Sequence, residues 1–200
     1  MKVSELINKL VELEKRPTLY KLGTFMNKYK GKYLLSDCSG LYKGLLWGYP
    51  ENGKYGSNGV ADQNANTIIA NCYDVSTNFK TIKAGEIVWM SGHMGIYIGN
   101  GVVIESSPKW ENGIQRTYCN GCGISNKEGL HSRTWKKHGK SKYIDYTTTV
   151  QQVPQKTITQ IAQDVINGKY GNGETRKKRL SEAGYNYSEV QKEVNRLLKR

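Results

Sequence analysis

The chain has 200 residues and a mass of 22.6 kDa, which is enough for one ordinary domain, or for one domain with a small second module. Its 30 Lys and Arg against 17 Asp and Glu give a formal net charge of +13, which suits an anionic partner such as nucleic acid, a membrane surface or a bacterial cell wall. No apolar run is long enough to insert into a membrane, four cysteines are too few for a disulfide scaffold, and the charges that follow Met1 argue against a cleaved secretory leader.

The first 146 residues predict helices that precede an antiparallel sheet. Apolar positions in residues 4–14 recur at helical spacing and predict an amphipathic helix. Asn100-Gly101 predicts a tight hairpin, and Tyr143–Tyr146 is expected to form a closing strand. Three further segments are typical of strands: residues 85–90, 94–99 and 102–105. This order of elements indicates an α+β fold for residues 1–146.

The chain divides near residue 150. Residues 147–156 lack a periodic pattern and contain a proline, which indicates a linker. Thr157 is then a good N-cap for a short helix that ends at Gly168, and a second helix is closed by Gly184. A third helix presents an apolar inner face made of Val190, Val194, Leu197 and Leu198. We expect residues 157–200 to form a separate module of three short helices.

Three side chains are candidates for chemistry. Cys38 precedes a stretch with helical potential, where the positive end of a helix dipole favours a thiolate; the alternative is a buried structural cysteine. His93 stands at the start of a predicted strand, from which an imidazole can take the proton of a helix-borne thiol, and the alternative is a surface loop histidine. Glu105 is placed to hold the second imidazole nitrogen, or is a solvated residue at a strand end.

The motif Asp37-Cys38-Ser39-Gly40, followed by Gly92–Gly101, resembles the NlpC/p60 family of papain-like peptidoglycan hydrolases. The resemblance covers nearly all of the first part of the chain. It implies a papain-like fold with N-terminal helices packed on an antiparallel sheet, and it implies neither a metal nor a cofactor. By this resemblance Cys38 is the nucleophile, His93 the general base and acid, and Glu105 the orienting residue. Many family members carry His at the third place, so Glu105 departs from the family's pattern.

The C-terminal segment carries a second resemblance. Nearly all of residues 157–200 is similar to the CW-seven cell-wall-binding repeat found in phage lysins, which is often present in tandem but stands here as one copy. A single copy lacks the gain in avidity that linked sites provide. The resemblance implies wall-binding roles for Tyr170, Arg176, Arg179 and Tyr185. The two arginines are suited to the carboxylates and amides of a muropeptide, and the alternative for them is an exposed helix face.

The remaining cysteines allow several interpretations. Cys119 and Cys122 form one CxxC, which is compatible with unligated thiols, a local disulfide, a metal site with His131 and His138, or a redox pair. The two histidines lie seven residues apart, and no second CxxC is present. Cys72 is assigned to packing.

The two resemblances together imply an endolysin-like hydrolase that cleaves amide bonds of peptidoglycan stem peptides. The protein would be made in the host cytoplasm without a signal peptide and would act on the bacterial cell wall after release. Three alternatives stay open: an N-acetylmuramoyl-L-alanine amidase that uses the same residues, a wall-binding protein whose catalytic domain is inert, and a basic nucleic-acid-binding protein. The basic residues are spread along the chain rather than concentrated in one block, which argues against nucleic acid as the partner.

Overall fold

The computed structural model describes residues 1–147, 158–182 and 185–198. Within them lie six α-helices and ten strands, and the strands form two sheets. The chain divides into two compact units, Met1–Val150 and Gln151–Arg200. The predicted linker beyond Thr147, the cap at Thr157 and the helix end at Gly184 lie outside the described residues.

The first unit combines helices with two sheets. Its helices are α1 (Val3–Glu14), α2 (Cys38–Leu46) and α3 (Ala65–Ala70). The strands of the small sheet are β1 (Thr18–Tyr20), β2 (Phe25–Lys30) and β3 (Tyr33–Ser36), in the order β1-β3-β2. The strands of the large sheet are β4 (Tyr73–Ser76), β5 (Ile87–Met90), β6 (His93–Gly99), β7 (Val102–Ser107), β8 (Gly113–Cys119), β9 (Ser132–Arg133) and β10 (Lys137–Lys140). Their order is β4-β10-β5-β6-β7-β8-β9.

The large sheet is antiparallel except where β9 runs parallel to β8. The mixed helices and strands confirm the predicted α+β class. The predicted helix at residues 4–14 is α1, and the three predicted strands correspond to β5, β6 and β7. The turn between β6 and β7 has Asn100 and Gly101 at φ of 52° and 81°, the left-handed values that a two-residue hairpin requires.

Two sequence-based expectations for the first unit are wrong. Tyr143–Tyr146 does not form a closing strand, because its backbone pairs with the start of the chain: the N–H of Asp145 donates to the carbonyl oxygen of Met1 at 2.8 Å. The β-type pairing of Asp145 is an isolated bridge to Lys2. The strands β1, β2 and β3 lie between α1 and α2, so the expected order, with the helices ahead of the strands, is also wrong.

Helix α2 is held tightly against the small sheet by glycines. Gly40 and Gly44 are one helical turn apart, so they share a face of α2. A Cβ at Gly40 would lie 2.0 Å from the carbonyl oxygen of Thr24, and one at Gly44 would lie 2.4 Å from that of Phe25. Only residues without a side chain permit this approach, which sets the position of the α2 N-terminus.

Two apolar clusters form the core of the first unit. The larger joins α1, α2 and α3 to the large sheet and includes the fully buried Leu6, Leu10, Leu41, Ile87, Met94, Ile96 and Ile104. The smaller contains Phe79, Val88, Tyr97, Val103, Cys119, Cys122 and Trp135. The large sheet is therefore buried on both faces over its central strands.

The second unit contains α4 (Ile158–Ile166), α5 (Gly173–Glu182) and α6 (Tyr187–Leu198). Its own apolar core is formed by Ile161, Ala162, Val165, Leu180, Val190 and Val194. Leu198 was expected on the inner face but is 66 % exposed, because successive residues of a helix point about 100° apart and Leu197 takes the inner position. None of the helices in the part of the chain described here has the length and apolar character needed to cross a membrane.

Candidate active site

Cys38 is the first residue of α2, and the preceding residue, Asp37, fixes the start of the helix. The Asp37 carboxylate accepts hydrogen bonds from the N–H of Gly40 at 2.6 Å, the hydroxyl of Ser39 at 3.1 Å and the N–H of Gly23 at 2.8 Å. Cys38 is buried, with 7 % of its surface exposed. Its thiol lies where the first N–H groups of the helix have no intrahelical acceptor and where the dipole is positive.

His93 stands at the first position of β6 and connects the thiol to a carboxylate. Its Nε2 is hydrogen-bonded to Glu105 Oε2, and the Cys38 thiol is near enough to raise the pKa of His93. Burial alone would lower the pKa of His93, but the interactions with Cys38 and Glu105 outweigh it and raise the pKa above its ordinary value. The structure thus places the three predicted catalytic side chains near one another, with His93 bound to Glu105 and next to Cys38.

Glu105 lies on β7 and is completely buried. Burial by itself raises the pKa of a carboxyl group, yet hydrogen bonds from His93, Arg133 and Thr117 reverse that effect and lower the pKa of Glu105. The Thr117 hydroxyl donates to Oε1 at 2.7 Å, and Arg133 Nε lies 2.7 Å from each carboxylate oxygen. Glu105 is therefore held as a carboxylate facing the imidazole.

Helix α3 holds the turn that presents His93. Asn66 Oδ1 accepts hydrogen bonds from the backbone N–H of Gly92 at 3.0 Å and from the indole N–H of Trp89 at 2.9 Å. Gly92 immediately precedes His93, so the side chain of Asn66 limits the movement of this turn. Asn66 was not among the predicted site residues.

Aromatic rings pack around the imidazole of His93 and the guanidinium of Arg133. Trp135, with 4 % of its surface exposed, is stacked on His93 with ring centroids 5.7 Å apart and an interplanar angle of 12°. Its buried indole N–H has no hydrogen-bond partner in the described structure. The guanidinium of Arg133 lies 4.8 Å from the ring centre of Trp110 and 5.9 Å from that of Trp135. At the contact between His93 and Glu105, 15 % of the His93 side chain and none of the Glu105 side chain is exposed.

Tyr20 of β1 lies close to the thiol. Burial, followed by the charges of Cys38 and Asp37, raises the pKa of its phenol. The backbone N–H of Tyr20 donates to Asn112 Oδ1 at 2.9 Å, which ties β1 to the loop before β8. The small sheet, which was absent from the sequence-based interpretation, thus contributes a hydroxyl to the surroundings of Cys38.

The other histidines are engaged away from the three candidate residues. His138 Nδ1 is 2.5 Å from Glu86 Oε2, and its Nε2 is 3.1 Å from the carbonyl oxygen of Asn78. Both ring nitrogens are occupied, so this second buried pair of histidine and carboxylate has no free nitrogen for acid–base work. His131 is stacked on Trp110 with ring centroids 4.8 Å apart.

All four cysteines are free thiols. Cys72 donates to the carbonyl oxygen of Ile68 at 3.3 Å and packs against the larger core, and burial raises its pKa to about 12. Cys119 and Cys122 are buried in the smaller core without a disulfide, and burial raises the pKa of Cys119 to about 12. Among the residues that the structure describes, no group of three or more His, Cys, Asp or Glu side chains is arranged to hold a metal ion.

The predicted wall-binding residues of the second unit occupy different environments. Tyr170 and Tyr185 are half-buried against its apolar core, and Arg179 is exposed. Arg176 donates from Nε to the carbonyl oxygen of Gly171 at 3.0 Å. Its Nη1 and Nη2 donate to Gln191 Oε1 at 3.1 Å and Asn172 Oδ1 at 2.8 Å. Arg176 thus links the turn before α5 to α6.

Comparison with known families identifies one segment of the chain. Residues 159–198 match the CW_7 repeat, and this match supports a cell-wall-associated protein. It covers the described helices α4, α5 and α6 and does not extend into the first unit. A search of curated proteins found no match for the chain.

Proposed function

We propose that this protein is a peptidoglycan hydrolase of the endolysin type, in which the first unit cleaves an amide bond and the CW_7 repeat holds the enzyme on the wall. The observation that carries the proposal is the close arrangement of Cys38, His93 and a buried, ionised Glu105 at the start of α2. A thiol on a helix N-terminus, an imidazole on a strand and an orienting carboxylate are the parts that thiol-based acyl transfer requires. The same arrangement supports assignment of the first unit to the papain-like NlpC/p60 fold.

The hydrogen bond between His93 and Glu105 indicates which nitrogen acts in the acylation step. Because Nε2 of His93 is bound to Glu105, its Nδ1 is the nitrogen left to take the proton of the Cys38 thiol. The thiolate attacks the amide carbonyl carbon, a C–S bond forms, and the negative charge moves to the carbonyl oxygen. Backbone N–H groups at the start of α2 are placed to stabilise that oxyanion. His93 then donates its proton to the amine nitrogen as the C–N bond breaks.

Deacylation uses the same residues in reverse. His93, now neutral, takes a proton from water, whose oxygen attacks the thioester carbonyl carbon. Collapse of this intermediate breaks the C–S bond, releases a carboxylic acid and returns the proton to the Cys38 sulfur. Glu105 stays ionised throughout and stabilises the imidazolium that forms in each half-reaction.

The proposed substrate is an amide of the peptidoglycan stem peptide. The CW_7 repeat supports the wall as the partner, and the net charge of +13 suits an anionic wall. The position of the scissile bond separates an endopeptidase from an N-acetylmuramoyl-L-alanine amidase, which would use the same three side chains.

Digestion of purified bacterial walls, followed by mass spectrometry of the soluble products, tests the proposal. New termini within the stem peptide identify an endopeptidase, whereas release of peptides that begin at L-Ala identifies an amidase. Cys38→Ala should abolish product formation, and Cys72→Ser, which changes a half-buried thiol outside the candidate site, should leave it unchanged. If the unmodified protein binds walls and forms no product, it is a wall-binding protein with an inert first unit.

A further inference from the structure

Glu105 is bound by more than the histidine that a Cys-His-Glu arrangement requires. Arg133 Nε lies 2.7 Å from both of its carboxylate oxygens, and the Thr117 hydroxyl donates to one of them at 2.7 Å. Since Glu105 is completely buried, each of these contacts lies in a low-dielectric interior, where a charge is costly unless it is paired. Arg133 supplies the permanent positive charge in this set.

The guanidinium of Arg133 is fixed in one orientation. Its Nη2 donates to the hydroxyl of Ser107 at 2.8 Å, and Ser107 lies two residues beyond Glu105 on β7, so both side chains are on the same face of the sheet. The rings of Trp110 and Trp135 lie near the cation. Arg133 itself is 9 % exposed and sits on β9 opposite Cys119 of β8. A side chain held in this way fixes the carboxylate that it binds.

The charges at the site balance only when Arg133 is counted. The titratable and charged groups that face Glu105 are His93 from β6 and Arg133 from β9; β8 contributes the neutral Thr117, and Cys38 of α2 acts through His93. With Glu105 ionised, the group is neutral overall both before and after the thiol proton moves to His93. Without Arg133, either state would leave one negative charge buried.

The structure assigns to Arg133 a role that rests on the proposed function: we propose that it is a positioning residue, which keeps Glu105 ionised and aimed at His93 and thereby sets the acid limit of hydrolysis. Arg133 touches neither Cys38 nor a reacting atom and acts only through Glu105. Loss of the cation favours protonation of Glu105, and a protonated Glu105 no longer stabilises the imidazolium, so hydrolysis is lost at a higher pH than in the unmodified protein.

The test is the pH dependence of kcat/KM for the full-length protein and three variants. Arg133→Met should move the acid limb upward by about one pH unit or more, which is roughly a tenfold loss at a pH on that limb, while the neutral plateau falls less. Arg133→Lys keeps the charge and should restore the acid limb. Should Arg133→Met fail to fold, Arg133→Gln, which retains a donor toward Glu105, carries the same expectation.

A matched control is present on the neighbouring strand. Arg116 of β8 makes an equivalent forked contact, from Nε and Nη2 to Glu14 of α1, away from the candidate site. Arg116→Met should lower thermal stability without moving the acid limb. An unmoved limb in the Arg133 variants, or a uniform loss of rate at every pH, would overturn the proposed role of Arg133.

A second measurement separates this proposal from the proposed function. The chain has three histidines, so NMR can follow the ring of His93 through a pH titration without substrate. Arg133→Met should lower the pKa of His93, because a Glu105 that is protonated or no longer aimed at the ring cannot stabilise the imidazolium, and Arg116→Met should leave that pKa unchanged. If the unmodified protein cuts no wall, the proposed function fails while this titration still decides the role of Arg133. A pKa of His93 that is unchanged or raised in Arg133→Met overturns that role.

Discussion

At the scale of single residues, the candidate site is defined by two pKa shifts in opposite directions. Contacts with Cys38 and Glu105 raise the pKa of His93 against the effect of its burial, and contacts with His93 and Arg133 lower that of Glu105 against the effect of its burial. Titratable neighbours whose pKa values are pushed apart are typical of acid–base sites. The imidazolium and the carboxylate therefore coexist over a wide pH range.

Replacement of Glu105 should matter less than replacement of Cys38. Glu105→Gln removes the charge that stabilises the imidazolium but leaves nucleophile and base in place, so we expect kcat/KM to fall about 100-fold, whereas Cys38→Ala should leave no measurable turnover. The matched control is Glu86→Gln, which changes the other buried carboxylate with a histidine partner and should leave kcat/KM intact. Unchanged kinetics in Glu105→Ala would remove Glu105 from the mechanism.

The pair of His93 and Glu105 should also make stability depend on pH. A raised pKa means that His93 stabilises the fold fully below its ordinary value of 6.5, and that this contribution is lost as the pH rises through its folded value. A lowered pKa means that Glu105 stabilises the fold above its ordinary value of 4.5 and loses that effect as the pH falls through its folded value.

The two contributions are therefore present together between the ordinary values of 4.5 and 6.5. We expect the difference in unfolding free energy between the unmodified protein and His93→Ala to be largest in this window and to shrink toward alkaline pH. The loss should be about 1.4 kcal/mol for each unit by which the pKa of His93 is raised. Urea unfolding over a pH series measures it, and a difference that grows above the window would contradict the assignment.

At the scale of elements, the site depends on where α2 begins and where β6 begins. Asp37 caps α2 and also binds the loop at Gly23, and the glycine face of α2 lets its start approach the small sheet. Asn66 of α3 binds the turn before His93. The thiol and the imidazole are thus positioned by two separate elements, and in each a side-chain oxygen binds a backbone N–H group.

Loss of the Asp37 cap should cost more than loss of an ordinary cap. Asp37→Ala removes hydrogen bonds to the N–H groups of Gly40 and Gly23, and an unsatisfied buried donor costs about 1–3 kcal/mol, so we expect about 2–4 kcal/mol of lost unfolding free energy. Asn64→Ala removes the exposed cap of α3 and should cost about 1 kcal/mol. Urea denaturation compares the two, and equal costs would show that Asp37 has no role beyond ordinary capping.

The sequence predicts those parts of the site that depend on local pattern. The Cys38 position, the β6–β7 hairpin and α1 follow from spacing and turn residues within a few positions of one another. Arg133, Asn66 and Trp135 carry no such signal, because each acquires its role from a partner distant in sequence: Glu105 is 28 residues from Arg133. The pairing of Asp145 with Met1 likewise could not be predicted from the sequence, since it joins the two ends of the first unit.

At the scale of the whole molecule, each unit buries its own apolar core. A fragment that ends at Thr147 should therefore retain hydrolysis of soluble muropeptides. On intact walls at low enzyme concentration it should be slower than the full chain, because the repeat raises the local concentration of the enzyme rather than improving the chemistry. Rates on the two substrates and pull-down by purified walls measure this. Equal pull-down of the fragment and the full chain would show that the repeat is not the anchor.

Within the repeat, the structure favours Arg179 over Arg176 as a test position. Three nitrogens of Arg176 already donate within the unit, so Arg176→Ala would disturb the fold of the repeat as well as any wall contact. Arg179 is exposed, and we expect Arg179→Ala to weaken pull-down by purified walls by about 1–3 kcal/mol if it meets a carboxylate. Arg196→Ala, on the exposed side of α6 and paired with Glu193, is the matched control and should leave pull-down unchanged.

The central claim is that Cys38 is the nucleophile, and competitive alkylation of the four thiols near neutral pH, mapped by mass spectrometry and followed together with wall hydrolysis, tests it most directly. Burial raises the pKa of Cys72 and Cys119 to about 12, so these thiols stay protonated, whereas Cys38 has an imidazole to take its proton. We predict that Cys38 is labelled first, that hydrolysis falls in step with its labelling, and that its labelling slows in His93→Ala. Equal labelling of all four thiols, or hydrolysis that survives complete labelling of Cys38, would contradict the claim.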